Sequence, residues 1–350
     1  MMERRFLIIG QGLSGSILSQ KLFAQQIPHT VVDDNHQSSA TKAAAGIINP
    51  ITGRRYVKSW MIDKLLPVAK STYKDFEKLL SYNFLSEQNI LRSLSTNQEE
   101  NTWHEAVSRP GYEDYVVKAN WNNYKALVQE RQSYGEITEA MQVNVRELIS
   151  AYRVFLKRHG LLVESSFDAA GYDYDAQLYE YKGQSYSGLI FCDGYKSSLH
   201  PLFQNLPFQP AKGESFIVST KQTLPIKILR DKIFLAPMNE NEFWTGGGYQ
   251  WNGLTELPTS TFATEWTAKL DDLLKVPYTI IEHRAGIRPS VKGRRPLIGQ
   301  HKKYKRVYLF NGMGTKGTSL APYWAERFMD LLLHKQEISP EVDLNRFVTN

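Results

Sequence analysis

"FLIIGQGLSG", residues Phe6 to Gly15, decides how the chain is read. Four consecutive apolar residues, Phe6 to Ile9, suit a strand covered on both faces, as in the middle of a parallel sheet. Gly10, Gly12 and Gly15 then follow in G-x-G-x-x-G spacing. Gly10 suits the tight turn. Gly12 leaves room for backbone to approach a pyrophosphate, and Gly15 lets the next helix close on the strand. That helix is predicted over Ser16–Gln25, with Ile17, Leu18, Leu22 and Phe23 on one face. Its N-terminus, with Leu13 and Ser14 in the approach, offers N–H groups and partial positive charge to phosphates. A second strand, Thr30-Val31-Val32, ends in Asp33 and Asp34. Asp33 stands 18 residues after Gly15, where a carboxylate accepts hydrogen bonds from ribose hydroxyls; Asp34 is the alternative with poorer spacing. Strand, glycine turn, helix and strand form a βαβ unit for an adenine dinucleotide. They do not separate NAD from FAD.

The 350 residues leave room for two lobes. Hydrophobic residues make up 42% and charged residues 22%, the balance of a globular enzyme. The net charge of +6 is scattered, a weak attraction to cofactor phosphates, carboxylates or RNA with no basic run to focus it. The single cysteine, Cys192, excludes an internal disulfide and a cysteine zinc site. The histidines form no HxxxH or HxH pair, so no metal site is expected. The apolar N-terminal run is short and broken by glycines, which reads as a strand and not a signal peptide. No stretch approaches about 18 apolar residues. No membrane span is expected, and a cytoplasmic protein is.

Helices are predicted at 61–80, 145–158 and 262–274, and strands at 112–117, 161–163 and 186–191. From Gly213 to Gln250 the texture changes: "ESFIVST", "KIFLAPM" and "EFWTGGGY" suggest an antiparallel sheet. Val307–Phe310 is a strand, followed by Gly312, Gly314 and Gly317 and a helix from about Ala321 to Leu333. The expectation is an α/β fold with discontinuous lobes. A Rossmann-type dinucleotide lobe takes residues 1–80, 142–210 and 283–350. An α+β substrate lobe takes 81–141 and 211–282.

Two segments favour FAD. "SSATKAAAGIINP", residues 38–50, is small enough for backbone to lie along a flavin cofactor's middle and ring. Thr41, Lys42, Ala44, Ala45 and Gly46 are its candidate cofactor contacts, and Asn49 a candidate substrate contact. "FNGMGTKGTSLAP" repeats the strand, glycine turn and helix design. It would aim a second helix N-terminus at the ring's pyrimidine oxygens, which makes Gly312, Gly314, Thr315, Lys316, Gly317 and Thr318 candidates. Asp193 and Gly194, at a strand end, join them.

In order and spread, "FLIIGQGLSGS…VVDD", "ATKAAAGIINP", "GLIFCDGYKSS", "KGE", "AGIRPSVKGRRPLIG" and "NGMGTKGTSLAP" make the chain resemble the FAD-dependent D-amino acid oxidase superfamily, in its glycine-oxidase-like branch. GIRP…PLIG followed by NGMGTKG is the most specific part. The resemblance implies an FAD lobe built from separated segments and a substrate lobe with an antiparallel sheet. It also implies oxidation of the CH–NH bond of an amino acid or related amine, with hydride passing to flavin N5. In many members the arginine of G-x-R-P binds the substrate carboxylate. Here that position is Arg288, flanked by Gly286 and Pro289, with Gly286 and Arg288 also counted near the cofactor. A guanidinium suits the task because it is planar, always charged and grips a carboxylate through two parallel hydrogen bonds. The alternative is that Arg288 pairs with a structural carboxylate.

Some relatives attach flavin through a cysteine near the last glycine turn. This chain has Met313-Gly-Thr-Lys316 there, so non-covalent FAD is expected. "GIINPITGRRYVKSW" also departs from the branch. Arg54, Arg55, Tyr56 and Trp60 either line an enlarged pocket for a bulky or anionic substrate, with Tyr56 the substrate-contact candidate, or belong to surface and core. Tyr249, beside three glycines, is a pocket wall or a plain sheet tyrosine. No histidine acid/base pair is evident, so no catalytic base is assigned. The electron acceptor, dioxygen or another, stays open. Two other readings keep the fold. One is oxidation of a modified base within tRNA, which the basic balance and Arg54-Arg55 suit but no RNA-binding motif supports. The other is an FAD-binding protein without oxidase chemistry.

Overall fold

A computed structural model describes residues 4–35, 39–168, 173–175 and 178–347. Strand Phe6–Ile9 lies inside a six-stranded sheet. The order is Leu162–Glu164, His29–Asp33, Phe6–Ile9, Gly188–Phe191, Val307–Asn311 and Leu297–Gln300. All pairs are parallel except the last, where Leu297–Gln300 joins antiparallel at the edge. Phe6–Ile9 and Gly188–Phe191 are buried throughout, which is why they read as unbroken apolar runs. Helices Leu13–Ala24, Ile62–Leu80, Val145–Arg158 and Gly317–His334 pack with one another beside this sheet. This is the expected Rossmann-type lobe, assembled from distant segments.

Both glycine turns lead into their helices sooner than the apolar pattern suggests. The first helix begins at Leu13, not Ser16, and the last at Gly317, not Ala321. Pro322 lies inside the last helix. Having no N–H, it leaves the Thr318 carbonyl without its usual helical donor. The buried Tyr73 hydroxyl from the neighbouring helix donates to that carbonyl instead, at 2.7 Å.

A second, eight-stranded sheet forms the other lobe. Its order is Tyr278–Arg288, Ala211–Thr220, Glu242–Gln250, Phe234–Pro237, Ile228–Arg230, Ile90–Leu94, Ser133–Ile137 and Val116–Val117. The strands from Ala211 to Gln250 pair antiparallel, as expected, and the full sheet becomes mixed where Ile228–Arg230 runs parallel to Ile90–Leu94. That pair is the seam where two separate insertions of the chain meet. The predicted strand at 112–117 is a 3₁₀ turn, Glu113–Tyr115, with only Val116–Val117 paired. Of the strand predicted at 186–191, Tyr186 belongs to a separate hairpin with Tyr179–Tyr181. Strand Tyr278–Arg288 pairs with Ala211–Thr220 from end to end, so the expected boundary at 282/283 falls inside one strand. That strand delivers Arg288 to the junction of the lobes. Among the described residues no helix is long and apolar enough to cross a membrane.

A buried ion pair ties the first lobe together. Asp33 accepts from the Gln11 N–H at 2.8 Å, the Asn35 N–H at 2.8 Å and Arg153 Nη1 at 2.7 Å. Arg153, on helix Val145–Arg158, also donates to Gln11 Oε1 and Glu164. Both partners are nearly inaccessible, so loss of one strands a buried charge. Arg153→Ala is expected to lower stability by about 3–5 kcal/mol in urea denaturation. Adding Asp33→Asn to that variant should recover much of the loss.

Candidate active site

One cavity of about 1520 Å³ runs between the two lobes. It exceeds the roughly 300–1,000 Å³ of ordinary small-ligand sites, as a cavity for both a dinucleotide and a substrate requires.

One end is the first glycine turn. Gly10, Gly12, Leu13, Ser14, Asp33 and Asp34 line it. Gly10 has φ +99°, and a Cβ there would lie 2.8 Å from both Asp193 Cα and the Cys192 carbonyl, so no other residue fits. Gly12 is the residue before the helix and has no side chain to cap it. Asp34 is exposed and paired with Lys196 at 3.3 Å, while Asp33 is the buried partner of Arg153. Gly15 does not reach the cavity wall. A Cβ on it would lie 2.0 Å from the Gly10 carbonyl, so it serves the close contact of helix and strand.

Along the middle, Thr41, Ala44, Ala45, Gly46 and Asn49 contribute to the wall. Gly46, at φ +72°, is pressed so closely on Val143 that a Cβ would lie 1.8 Å from its carbonyl. The Asn49 amide oxygen accepts from the Ile51 N–H at 3.0 Å, and the Asn49 carbonyl accepts from Ser59 Oγ at 2.8 Å. Two expected cofactor contacts are corrected here. Lys42 is not in the wall, and neither is Ala43, although Thr41 and Ala44 are. Gly286 is not either: its missing Cβ makes room for the Ser39 carbonyl, 2.6 Å from where a Cβ would stand.

The second glycine turn closes the far side. Gly312, Gly314, Thr315, Lys316, Gly317 and Thr318 all line the cavity. Gly312 and Gly314 have positive φ, +78° and +57°. Lys316 precedes the last helix without a side-chain cap. Its Nζ donates to Ser59 Oγ at 3.0 Å, and burial, then Arg294 and Arg295, lower its pKa. Asp193 and Gly194 also line the cavity. Ser197 Oγ donates to Asp193, and Asn311 Nδ2 donates to the Gly194 carbonyl at 2.8 Å. Burial pushes the Asp193 carboxyl up to about 6.

Arg288, Tyr249 and Tyr56 line the part formed by the second sheet. Arg288 Nη1 donates to the Gly248 carbonyl at 2.8 Å, and its Cζ stands 4.8 Å from the Tyr249 ring centre. The guanidinium fills the space a Gly213 side chain would need: a Cβ there would be 1.8 Å from Nη2. Among the described residues no carboxylate lies within ion-pair distance of Arg288. Tyr249 is exposed at the rim and stacks on Trp251 at 5.8 Å. Tyr56 is buried, holds φ +46° and packs edge-on against Trp103 at 5.2 Å. Arg54 and Trp60 line the cavity, Arg54 being exposed; Arg55 is exposed and outside the wall.

Three wall features escape the sequence reading. Arg92 and Arg230 line the cavity, and Gly213 makes room for Arg288. A lone arginine in an apolar strand carries no signal of this kind. Gly213, inside the quoted KGE, carried one that went unread.

The donor set fits a flavin dinucleotide. Two helix starts without side-chain caps and two glycine turns face one cavity. The comparisons agree. Residues 5–331 match the family model described as FAD dependent oxidoreductase. The chain belongs to that family and is an FAD-dependent oxidoreductase. It is 22% identical over 372 residues to the uncharacterized oxidoreductase YurR of Bacillus subtilis, covering 98% of each chain. In fold it is similar to glycine oxidase from Geobacillus kaustophilus, with a TM-score of 0.81, 16% identity and 98% of each chain covered. It is also similar to iminodiacetate oxidase from Chelativorans sp. BNC1, with a TM-score of 0.78, 17% identity, and 96% of this chain and 98% of that one covered.

Asp193 yields a pH prediction. Its folded pKa, about 6, lies above the roughly 3.9 of an unfolded aspartate, so folding favours the protonated form. This contribution is present below about pH 4 and is lost as pH rises through about 6. Asp193→Asn removes it. In flavin-free protein the variant's stability should gain on the wild type between pH 4 and 7, by at most about 3 kcal/mol, as read by chemical denaturation at each pH.

Proposed function

We propose that the protein oxidises the CH–NH bond of an amino acid or related amine that bears a carboxylate. The observation that carries this reading is Arg288. Its guanidinium lies in the cavity wall between the second sheet and the glycine turns, with backbone carbonyls and an aromatic ring as partners and, among the described residues, no carboxylate. Burial works against its charge, so an anionic ligand is the natural complement.

Bound FAD would supply the oxidising chemistry, that of a hydride acceptor. The Gly10–Ser14 turn would hold its pyrophosphate and Asp33 or Asp34 its ribose. Thr41 to Gly46 would lie along its middle, and the Gly312–Thr318 turn would face the ring's pyrimidine edge. Non-covalent attachment fits the absence of cysteine from Met313 to Lys316 and the deep burial of Cys192, which pushes its thiol pKa well up. Arg288 binds the substrate carboxylate through two hydrogen bonds and so fixes the α-carbon in one orientation. Tyr249 stacks on that guanidinium, and Gly213 leaves it the space to reach inward. The amine enters neutral, because a lone pair must replace the departing hydride; no wall residue is assigned to deprotonate it. Dioxygen or another acceptor then reoxidises the cofactor.

Anaerobic mixing of the holoprotein with a panel of amines and amino acids tests the reading. At least one carboxylate-bearing amine should bleach the flavin's visible absorbance, and a panel without any such effect would refute it. Arg288→Ala should lower kcat/KM for that substrate by about 10²–10³-fold, since charge-assisted hydrogen bonds contribute about 1.5–3 kcal/mol each, while flavin content holds. Gly213→Ala should give a comparable loss with little change in Tm, because the added methyl displaces only the flexible end of Arg288. Unaltered kinetics in Gly213→Ala would refute the placement of Arg288.

A further inference from the structure

The cavity wall contains a second cationic site that the carboxylate-binding role of Arg288 does not use. Arg230 and Arg92 are direct register partners on the parallel pair Ile228–Arg230 and Ile90–Leu94, so both side chains leave the same face of the sheet, and both line the cavity. Like charges set side by side on a sheet repel and need a counter-charge. Little is provided. Arg92 has Glu99, half-exposed and 3.8 Å away. Among the described residues Arg230 has no carboxylate within ion-pair distance. The adjacent Asp231 carboxylate is turned to Arg131, at 2.9 and 3.3 Å. Among the described residues the Asp231 carbonyl is the acceptor the two share, at 2.8 Å from Arg230 Nη1 and 3.5 Å from Arg92 Nη1. Arg92 Nε is buried without a hydrogen-bond partner.

Other acids of the cavity wall are engaged elsewhere. Asp33 is held by Arg153, Asp34 by Lys196 and Glu265 by Lys269, while Asp193 accepts from Ser197 and Glu256 from Tyr195. Aromatic faces hold the two guanidiniums: Arg230 lies 4.5 Å from the Phe234 ring centre and Arg92 5.6 Å from that of Tyr56. Burial and the neighbouring Arg92 push the Arg230 pKa down to about 10, the mark of a cation short of anionic partners. Tyr249, which stacks on Arg288, is also within electrostatic reach of Arg230. Both cationic sites line the one cavity.

We propose that the substrate is a dicarboxylic amine: one carboxylate on Arg288, and a second, at the other end of the molecule, on Arg230 and Arg92. The proposal rests on the reading of Arg288 given above. The second anion restores charge balance where two guanidiniums stand side by side, and their free N–H groups supply the hydrogen bonds. An uncharged terminus of the same shape would leave Arg230, half-buried, without a counter-charge, so the site selects for charge and not size.

The test compares isosteric acid and amide pairs with the holoenzyme: each enantiomer of glutamate against glutamine, and iminodiacetate against its monoamide. The acid should exceed the amide in kcat/KM by about 10–100-fold, the value of hydrogen bonds to a charged group. In Arg230→Gln and in Arg92→Gln the ratio should fall towards unity, with Arg230→Lys keeping part of it. Flavin content and Tm report whether each variant is folded. A second readout does not need turnover. Glutarate should perturb the oxidised flavin spectrum at lower concentration than butyrate, and this difference should vanish in Arg230→Gln. Equal use of acid and amide by the wild type would overturn the proposal, as would an acid preference that survives in a folded, flavin-replete Arg230→Gln protein. If no amine reduces the flavin, the reading of the reaction fails, and the glutarate titration alone decides whether the second anion site exists.

Discussion

The segment Ser39–Asn49 has to lie flat between two sheets, and the rest of the site depends on that constraint. The carbonyl of Ala43 accepts both the Trp244 indole N–H, at 2.8 Å, and the Ser215 hydroxyl, at 3.0 Å. These donors come from neighbouring strands of the second lobe, so one carbonyl ties that lobe to the segment. The other contacts are of backbone against backbone. Gly46 touches Val143 and Gly286 touches Ser39 at distances no side chain permits. Small residues here let both lobes close on the segment while leaving its other side open to the cavity. A larger residue at Gly46 or Gly286 would part the lobes.

Charge is handled differently at the two ends of the cavity. Beside the first glycine turn, carboxylate and guanidinium meet inside the protein, where Arg153 neutralises Asp33, and the exposed Asp34 pairs with Lys196. Across the second sheet the guanidiniums of Arg288 and Arg230 have carbonyls and rings, but among the described residues no carboxylate, as partners. A folded protein tolerates such cations at a cost in stability, because a buried charge loses hydration that carbonyl oxygens only partly replace. That cost is intelligible where a ligand brings the missing anions. Lys316, with hydroxyl partners and a lowered pKa, adds to the positive character of the wall at the second glycine turn.

Much of the first lobe was legible because its information is local. The run Phe6–Ile9, the glycine spacing and the helix Val145–Arg158 each depend on residues a few positions apart, and the structure has them where they were expected. The cofactor class was legible for the same reason, since two strand–glycine turn–helix units stand in the chain as two short motifs. The misreadings have a common origin. Gly286 and Lys42 lie in motifs that approach the cavity, but a glycine admitting a carbonyl and a glycine admitting a cofactor look alike in sequence. The boundary at 282/283 failed because a strand shared by two lobes has no composition change at its middle.

By itself, then, the sequence determined the Rossmann-type lobe and the flavin dinucleotide through short-range spacing, and the family through the resemblance of its motifs. Tertiary structure alone decided which cations share a compartment. Arg92 and Arg230 become neighbours only through the register of two strands from separate insertions. Arg288 reaches the cavity only because Gly213, on the adjacent strand, leaves it room. Cross-strand register is fixed by packing over the whole sheet, and no local pattern encodes it.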